Sequence, residues 1–205
     1  MRLIGLTGGI ATGKTTVSNY LAQTYSFPVW DADVYAREAV QPNSPVLQTL
    51  VGRYGTEILH SDGSLNRPQL ANIIFNNLTE RYWVEQQIHP VVRDRFCENI
   101  QSLQNQQLNN ATAILVIPLL FEAKMTDLVT EIWVISCSVE QQQLRLIERS
   151  QGSLTPEQAQ ARIDSQMPLE QKCKMADVVL DNSSTLQDLW QQVDEAIANP
   201  PKNLV

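Results

Sequence analysis

The chain has 205 residues and a net charge of −7, with 43% hydrophobic and 18% charged residues. This length suits one α/β domain with appendages, and the composition is that of a globular protein. The negative charge argues against a nucleic-acid partner. Three widely spaced cysteines without a C-x-x-C pair argue against a disulfide framework or a structural zinc site. No stretch reaches about 18 apolar residues, so we expect no membrane span and a cytoplasmic protein.

The N-terminal segment predicts a strand, a glycine-rich turn and a helix. Residues 3–7 form an apolar run that ends in glycines, and residues 15–23 carry apolar side chains at helical spacing. A second short strand is predicted at 28–31 and a helix at 34–40. From residue 42 to about residue 110 the pattern is helical, with almost no β-branched runs, which indicates a helical insertion.

The C-terminal half predicts further strands alternating with helices. Continuous apolar runs of strand length occupy residues 113–120, 131–137 and 176–180. Between the last two we expect two helices, and the second begins with a capping box at Thr155 and a proline at its first helical position. This alternation predicts an α/β fold with a doubly wound parallel sheet and crossover helices. Ligands of such sheets bind beyond the carboxyl ends of the strands.

Residues 8–15, Gly-Gly-Ile-Ala-Thr-Gly-Lys-Thr, match the phosphate-loop pattern G-x-x-x-x-G-K-[ST] between a predicted strand and a predicted helix. The glycines let successive main-chain N–H groups face one phosphate, and the helix N-terminus adds partial positive charge. Lys14 is expected to reach the β- and γ-phosphates of ATP, and the Thr15 hydroxyl to bind Mg²⁺. The residues predicted to hold the nucleotide are Gly8, Gly9, Ala11, Thr12, Gly13, Lys14, Thr15 and Thr16.

Two aspartates follow the second predicted strand. Asp31 and Asp33 fall where a doubly wound sheet brings a strand end near the phosphate loop. A carboxylate there is suited to take the proton of an acceptor hydroxyl, and Asp33 is the candidate base. The alternative is that either aspartate only caps a helix.

Cationic side chains form two further groups. Arg145 and Arg149, spaced i, i+4, share one helix face and are candidates to clamp the triphosphate or stack on adenine, unless they are a solvated face paired with Glu148. Arg162, Lys172 and Lys174 follow in the same region and are candidates to extend this cationic patch, although each by itself is expected at the surface. His89, in the helical insertion with Arg93 close by, is a candidate for contact with an anionic substrate or is a buried, satisfied histidine.

Longer segments carry a family resemblance. They are Gly5-Leu6-Thr7-Gly8-Gly9-Ile10, Asp31-Ala32-Asp33 with Ala36-Arg37, His89-Pro90, Pro118-Leu119-Leu120-Phe121-Glu122, Gln143-Leu144-Arg145 with Arg149, Arg162-Ile163 to Gln166, and Lys172 to Asp177. In order and spacing they resemble the dephospho-coenzyme A kinase family, over nearly the whole chain. The 118–122 block combined with the acidic turn is much more specific than a phosphate loop alone.

The resemblance implies an enzyme that transfers phosphate from ATP to the ribose 3′-hydroxyl of dephospho-CoA, a small-molecule substrate. It also implies an α/β fold of the P-loop NTPase type, with three layers around a parallel sheet. The kinase core would occupy about 1–33, 111–144 and 175–200, a helical substrate-binding insertion about 34–110, and a helical lid about 145–174. Carried over by position, Asp33 is the base, Lys14 and Arg145 also act in catalysis, and Arg149 belongs to the lid. His89, Arg93 and Glu122 lie near the acceptor.

Two departures from the family pattern stand in this sequence. Ala11-Thr12 replaces the usual Gly-Ser, and Asn182-Ser183-Ser184 lacks a glycine often found there. We expect Ala11 to keep a negative φ, at which alanine costs little.

Two other functions compete with this one. A kinase of the same fold that acts on a nucleoside or nucleotide differs only in its acceptor. A nucleotide-dependent switch or motor works through a macromolecular partner, but the sequence has no [NT]-K-x-D guanine signature and no hydrophobic strand that ends in the usual metal-binding aspartate.

Overall fold

The structure, a computed structural model, describes residues 1–75, 77–106 and 111–201. Residues 107–110, in which the predicted insertion ends, and residues 202–205 lie outside this description. The chain forms two compact units. One comprises Met1–Asp31 and Leu103–Val205, and the other comprises Ala32–Ser102.

A five-stranded sheet forms the centre of the first unit. The strands are β1 (Arg2–Gly8), β2 (Val29–Asp31), β3 (Thr112–Val116), β4 (Glu131–Ser136) and β5 (Val178–Asp181). Their order is β2-β3-β1-β4-β5, and every pairing is parallel. The predicted parallel α/β fold is therefore confirmed, and the carboxyl ends of all five strands share one edge of the sheet.

The helices follow the strands along the chain. In order they are α1 (Lys14–Tyr25), α2 (Ala32–Ala39), α3 (Pro45–Tyr54), α4 (Arg67–Phe75), α5 (Leu78–Asn105), α6 (Val139–Arg149), α7 (Pro156–Asp164), α8 (Leu169–Lys174) and α9 (Leu186–Ala198). Within the described part of the chain, none of them is both long and apolar enough to cross a membrane.

The core of the first unit explains why these segments form a sheet covered by helices. The middle strands are continuous apolar runs, so β1 is buried from Leu3 to Gly8. Leu6 of β1, Leu21 of α1 and Leu189 of α9 pack into one core cluster. Burial on both faces is typical of central parallel strands, and it fixes β1 and the loop after it in the middle of the sheet.

Local hydrogen bonds set the starts of α6 and α7. Ser138 caps α6 by accepting from the N–H of Gln141. Thr155 and Gln158 form the predicted capping box at the start of α7, with Pro156 in its first turn. The helix pair expected from the sequence is therefore present, and each helix begins at a residue whose side chain binds an otherwise free N–H group.

The second unit contains α2, α3, α4 and most of α5. Its core includes Leu50, Ile58 and Val84. The described residues of this unit form no β-strand, and their β-type pairing is limited to one isolated antiparallel bridge between Leu59 and Leu65. The predicted helical character of this region is thus observed.

Candidate active site

The phosphate loop joins the central strand β1 to helix α1. β1 ends at Gly8 and α1 begins at Lys14, so residues 9–13 form the loop at the carboxyl edge of the sheet. Gly13 precedes the helix, and no side chain caps the first N–H groups of α1. Free N–H groups and the helix dipole favour an anion at this end.

Geometry requires a glycine just before the loop and another at its end. Gly8 and Gly13 have φ values of 148° and 107°, which side-chain-bearing residues rarely adopt. A Cβ at Gly8 would clash with the carbonyl oxygen of Ile135, and one at Gly13 with the side-chain amide of Asn182. The chain therefore needs glycine at both positions of the motif to keep this curled backbone.

Ala11 differs from expectation. Its φ is 59°, so it adopts the left-handed conformation and the expected negative φ is wrong. In this left-handed conformation the Cβ of an alanine crowds the main chain. Such a residue costs about 1–2 kcal/mol. The alanine found where the family usually has glycine thus strains the loop.

Side chains of the loop bind its own carbonyl groups. Lys14 Nζ donates to the carbonyl oxygens of Gly8, at 3.3 Å, and Gly9, at 2.7 Å. The buried Thr12 donates its hydroxyl to Gly9 at 3.0 Å. The Lys14 ammonium group therefore lies over the start of the loop. Thr15 is exposed and Thr16 half-buried in the first turn of α1.

Asn182, just after β5, ties a second segment to the loop. Its Nδ2 donates to the Thr12 carbonyl at 2.8 Å, and its N–H donates to Ser136 at 2.8 Å. The sequence marked this position only as one that lacks a glycine. Its place after a strand that ends at the ligand-binding edge is the signal from which a role could have been predicted.

Arg145 reaches the same segment from α6, and Arg149 does not. Arg145 Nη2 donates to the Asn182 carbonyl at 2.9 Å. Its Nη1 is buried and has no hydrogen-bond partner among the described residues. Arg149 is exposed in the last turn of α6. The two arginines thus share a helix but lie in different environments.

Glu122 is bound to the segment around α8. Glu122 Oε1 lies 2.9 Å from Lys172 Nζ and accepts from the N–H of Met167 at 3.0 Å. Lys172 also donates to the Pro118 carbonyl at 3.1 Å, and its side chain is fully buried. The expectation of a surface lysine is therefore wrong. A buried ammonium group needs a carboxylate and further acceptors, and here segments far apart in sequence supply them.

The other candidate residues belong to the helical unit. Asp33 is exposed in the first turn of α2. His89 and Arg93 lie one helical turn apart in α5, and both are half-buried. Burial lowers the pKa of His89 below its ordinary value, while the nearby Glu85 carboxylate acts in the opposite direction. His89 therefore favours the neutral imidazole.

Comparison with known proteins gives a consistent result. A family model described as dephospho-CoA kinase matches residues 2–188. The dephospho-CoA kinase of Trichormus variabilis is 59% identical over 196 residues, covering 96% of both chains. That of Synechocystis sp. is 54% identical over 195 residues, covering 95% of this chain and 94% of the other.

Solved structures agree with these sequence relatives. A dephospho-CoA kinase from Campylobacter jejuni superposes with a TM-score of 0.71 at 28% identity, covering 100% of each chain. The protein TT1252 from Thermus thermophilus gives a TM-score of 0.77 at 30% identity, covering 96% of each chain. A shikimate kinase from Acinetobacter baumannii shares only the fold, with a TM-score of 0.55 at 14% identity. By family model, relatives and fold, this chain belongs to the dephospho-CoA kinase family.

Proposed function

We propose that this protein transfers the γ-phosphate of ATP to the ribose 3′-hydroxyl of dephospho-CoA, giving coenzyme A and ADP in the last step of coenzyme A synthesis. The observation that carries the proposal is the phosphate loop at the end of β1, where glycine-dependent backbone, Lys14 and the uncapped start of α1 meet. The substrates of the protein are small molecules. We expect the protein to act in the cytoplasm, where ATP is abundant.

The loop binds the triphosphate through main-chain N–H groups, and Lys14 supplies a positive charge. Its ammonium group now donates to the Gly8 and Gly9 carbonyls. A phosphate oxygen is a stronger acceptor because it is charged, so we expect Nζ to bind the β- and γ-phosphates. Positive charge at this position stabilises the transferring group in the ground state and the transition state alike.

Arg145 supplies a second cationic contact. Its Nη1 is buried without a partner while Nη2 is fixed to Asn182. A buried guanidinium N–H without an acceptor is costly, and a phosphate oxygen of the nucleotide is the acceptor that suits its charge. Arg149, exposed at the end of α6, contributes from the lid, residues 145–174, when that segment covers the nucleotide.

Mg²⁺ fits this loop as an ion held mainly by the nucleotide. Among the described residues there is no cluster of three or more histidine, cysteine, aspartate or glutamate side chains to cage a metal. Mg²⁺ keeps water and phosphate ligands and needs few protein groups. The exposed Thr15 hydroxyl, next to Lys14, is the protein ligand we expect. The ion screens the charge on the phosphates.

Asp33 acts as the general base. The new bond joins the acceptor 3′-oxygen to the γ-phosphorus, the bond from the γ-phosphorus to the β–γ bridging oxygen breaks, and the hydroxyl proton passes to the Asp33 carboxylate. Asp33 is exposed in the first turn of α2, which begins directly after β2 at the carboxyl edge of the sheet. His89 and Arg93, within the helical insertion at about 34–110, and Glu122 contact the acceptor.

A coupled assay with ATP, Mg²⁺ and dephospho-CoA tests the proposal, with release of ADP and formation of coenzyme A followed separately. Nucleoside monophosphates and nucleosides serve as competing acceptors. Equal or better turnover of one of these acceptors would assign the protein to another kinase specificity. ATP hydrolysis that a protein or DNA stimulates, without phosphorylation of a small molecule, would identify a switch or motor.

A further inference from the structure

A cavity of about 350 Å³ adjoins the start of the phosphate loop within the first unit. Gly9 forms one wall, α6 contributes Val139 and Gln142, and α7 with the following segment contributes the rest, including Ile163 and Met167. Pockets for small molecules begin at roughly 300 Å³ and are largely apolar with a few polar groups. The cavity therefore has the size and lining of a site for part of a substrate.

Gln142 is one of two described lining residues whose buried side-chain oxygen has no hydrogen-bond partner. The residue is 1% exposed, and its side-chain Oε1 is buried and unpaired among the described residues. Gly9 lies directly against it, since a Cβ added to Gly9 would stand 2.5 Å from Oε1. Gln166, which also lines the cavity, has a second buried and unpaired Oε1.

Gln160 provides the contrast in the same wall. Its Oε1 accepts from Gln143, and its Nε2 donates to Asp164 at 2.6 Å. The side-chain amide of Gln160 is thus hydrogen-bonded, whereas the side-chain oxygen of Gln142 in the same cavity is not. Leaving a buried carbonyl without a donor costs free energy, and native proteins keep such groups where a ligand, ion or water satisfies them.

The lining also defines the chemistry of the ligand. Among the described lining residues there is no lysine, arginine or histidine, and Asp164 and Glu170 are acidic. A phosphate group is therefore disfavoured inside the cavity. Carbonyl acceptors and apolar walls instead suit an uncharged group that carries N–H or O–H donors.

The position of Lys14 indicates which substrate enters. Its Nζ lies on the carbonyl groups of Gly8 and Gly9, and the lysine of this motif serves the β- and γ-phosphates. The Gly9 end of the loop is thus the end of the transferred phosphate, and the molecule next to that phosphate is the acceptor. Resting on the proposed function, we infer that Gln142 accepts a hydrogen bond from the 2′-hydroxyl or the 6-amino group of the acceptor's adenosine unit.

Gln142→Met tests this inference, and Gln191→Met is the control, because Gln191 is an exposed glutamine on α9 outside the cavity. Methionine keeps the length of the side chain, and the Gln142 oxygen has no hydrogen bond to lose. The unfolding temperature of the variant should therefore stay the same or rise. The KM for dephospho-CoA should increase roughly 3- to 10-fold, the effect of one hydrogen bond, with the KM for ATP unchanged. Gln191→Met loses only a 2.9 Å contact with Glu195 on the surface of the helix, and it should keep both KM values.

Acceptor analogues identify the donor. One analogue of dephospho-CoA lacks the 2′-hydroxyl, and another carries purine in place of adenine. With the analogue that lacks the bonded group, the variant and the wild type should have the same KM. With the other analogue, the variant should keep its higher KM. The inference would be overturned if the KM of the variant exceeded that of the wild type equally with both analogues. It would also be overturned if Gln142→Met raised the KM for ATP alone, changed neither KM, or lowered the unfolding temperature. If the wild type does not phosphorylate dephospho-CoA at all, the proposed function itself fails.

Discussion

Asn182 holds the phosphate loop from outside it, because its Nδ2 donates a 2.8 Å hydrogen bond to the Thr12 carbonyl. Its own carbonyl accepts from Arg145 at 2.9 Å, so one residue connects the loop to a cationic side chain of α6. The asparagine is buried, and its side chain occupies the space that a Cβ on Gly13 would need. The loop and the segment after β5 are therefore shaped together.

We predict that Asn182→Ala weakens ATP binding and lowers stability. The Thr12 carbonyl loses its donor in a buried place, which costs about 1–3 kcal/mol, and the loop becomes less ordered. Calorimetric titration with ATP and thermal unfolding measure the two effects. Ser183→Ala, at an exposed neighbour, should change neither. Unaltered ATP affinity in Asn182→Ala would show that the bond does not order the loop.

Ala11→Gly should stabilise the protein. Glycine adopts the φ of 59° found at this position without strain, but it also gains freedom in the unfolded chain. We expect a net gain of up to about 1 kcal/mol, or roughly 2–4 °C in the unfolding temperature. Gly13→Ala is the opposite case, because its Cβ would meet Asn182 at a φ of 107°, and it should unfold earlier. A lower unfolding temperature for Ala11→Gly would mean that residue 11 is not strained.

Glu122→Gln should destabilise the protein more than Lys172→Met. The first change leaves a fully buried ammonium group without its carboxylate, whereas the second removes the buried charge and fills its place with an apolar side chain. Loss of one partner of a buried pair costs about 3–5 kcal/mol. Since Glu122 also binds the N–H of Met167, its change removes a second contact. Urea unfolding compares the two variants and the double variant, and equal losses would contradict this order.

The sequence predicted the features that depend on neighbouring residues. The phosphate loop, the capping box at Thr155 and the apolar strands are local patterns, and the structure has them at these places. The exception is the apolar run 113–120, which forms a strand only as far as Val116 and then turns. The burial of Lys172 was missed because its acceptor, the Pro118 carbonyl, lies 54 residues away in sequence. The contact of Asn182 with Thr12 spans 170 residues. Such contacts depend on the strand order, which a single sequence does not contain.

The conformation of Ala11 was missed for another reason. Residue propensity favours a negative φ for alanine, and here the closed shape of the loop overrides it. The short helix α8 (Leu169–Lys174) also escaped prediction, since six residues give too little periodicity to be recognised.

His89 should make stability depend on pH. Burial lowers its pKa from the ordinary value of 6.5, so the unfolded chain binds the proton more readily than the folded protein. Stability is therefore complete above about pH 6.5 and falls as the pH drops through the lower pKa of the folded state. His89→Gln should reduce the difference in unfolding free energy between pH 7.5 and pH 5.5. Glu85→Gln should increase it, because the carboxylate opposes the shift. An unchanged pH dependence in both variants would rule out this contribution.

Asp33→Asn tests the proposed base. Asparagine has nearly the same shape but cannot accept the proton of the acceptor hydroxyl, so turnover should fall by roughly 10²–10⁴ while ATP affinity stays the same. Glu38→Gln is the control, since Glu38 is an exposed carboxylate on the same helix, 3.6 Å from Arg95, and its variant should retain full turnover. Steady-state kinetics with dephospho-CoA and calorimetric titration with ATP separate the two effects. If Asp33→Asn loses ATP affinity as much as turnover, the aspartate anchors the metal or the structure, and the proton must leave by another route.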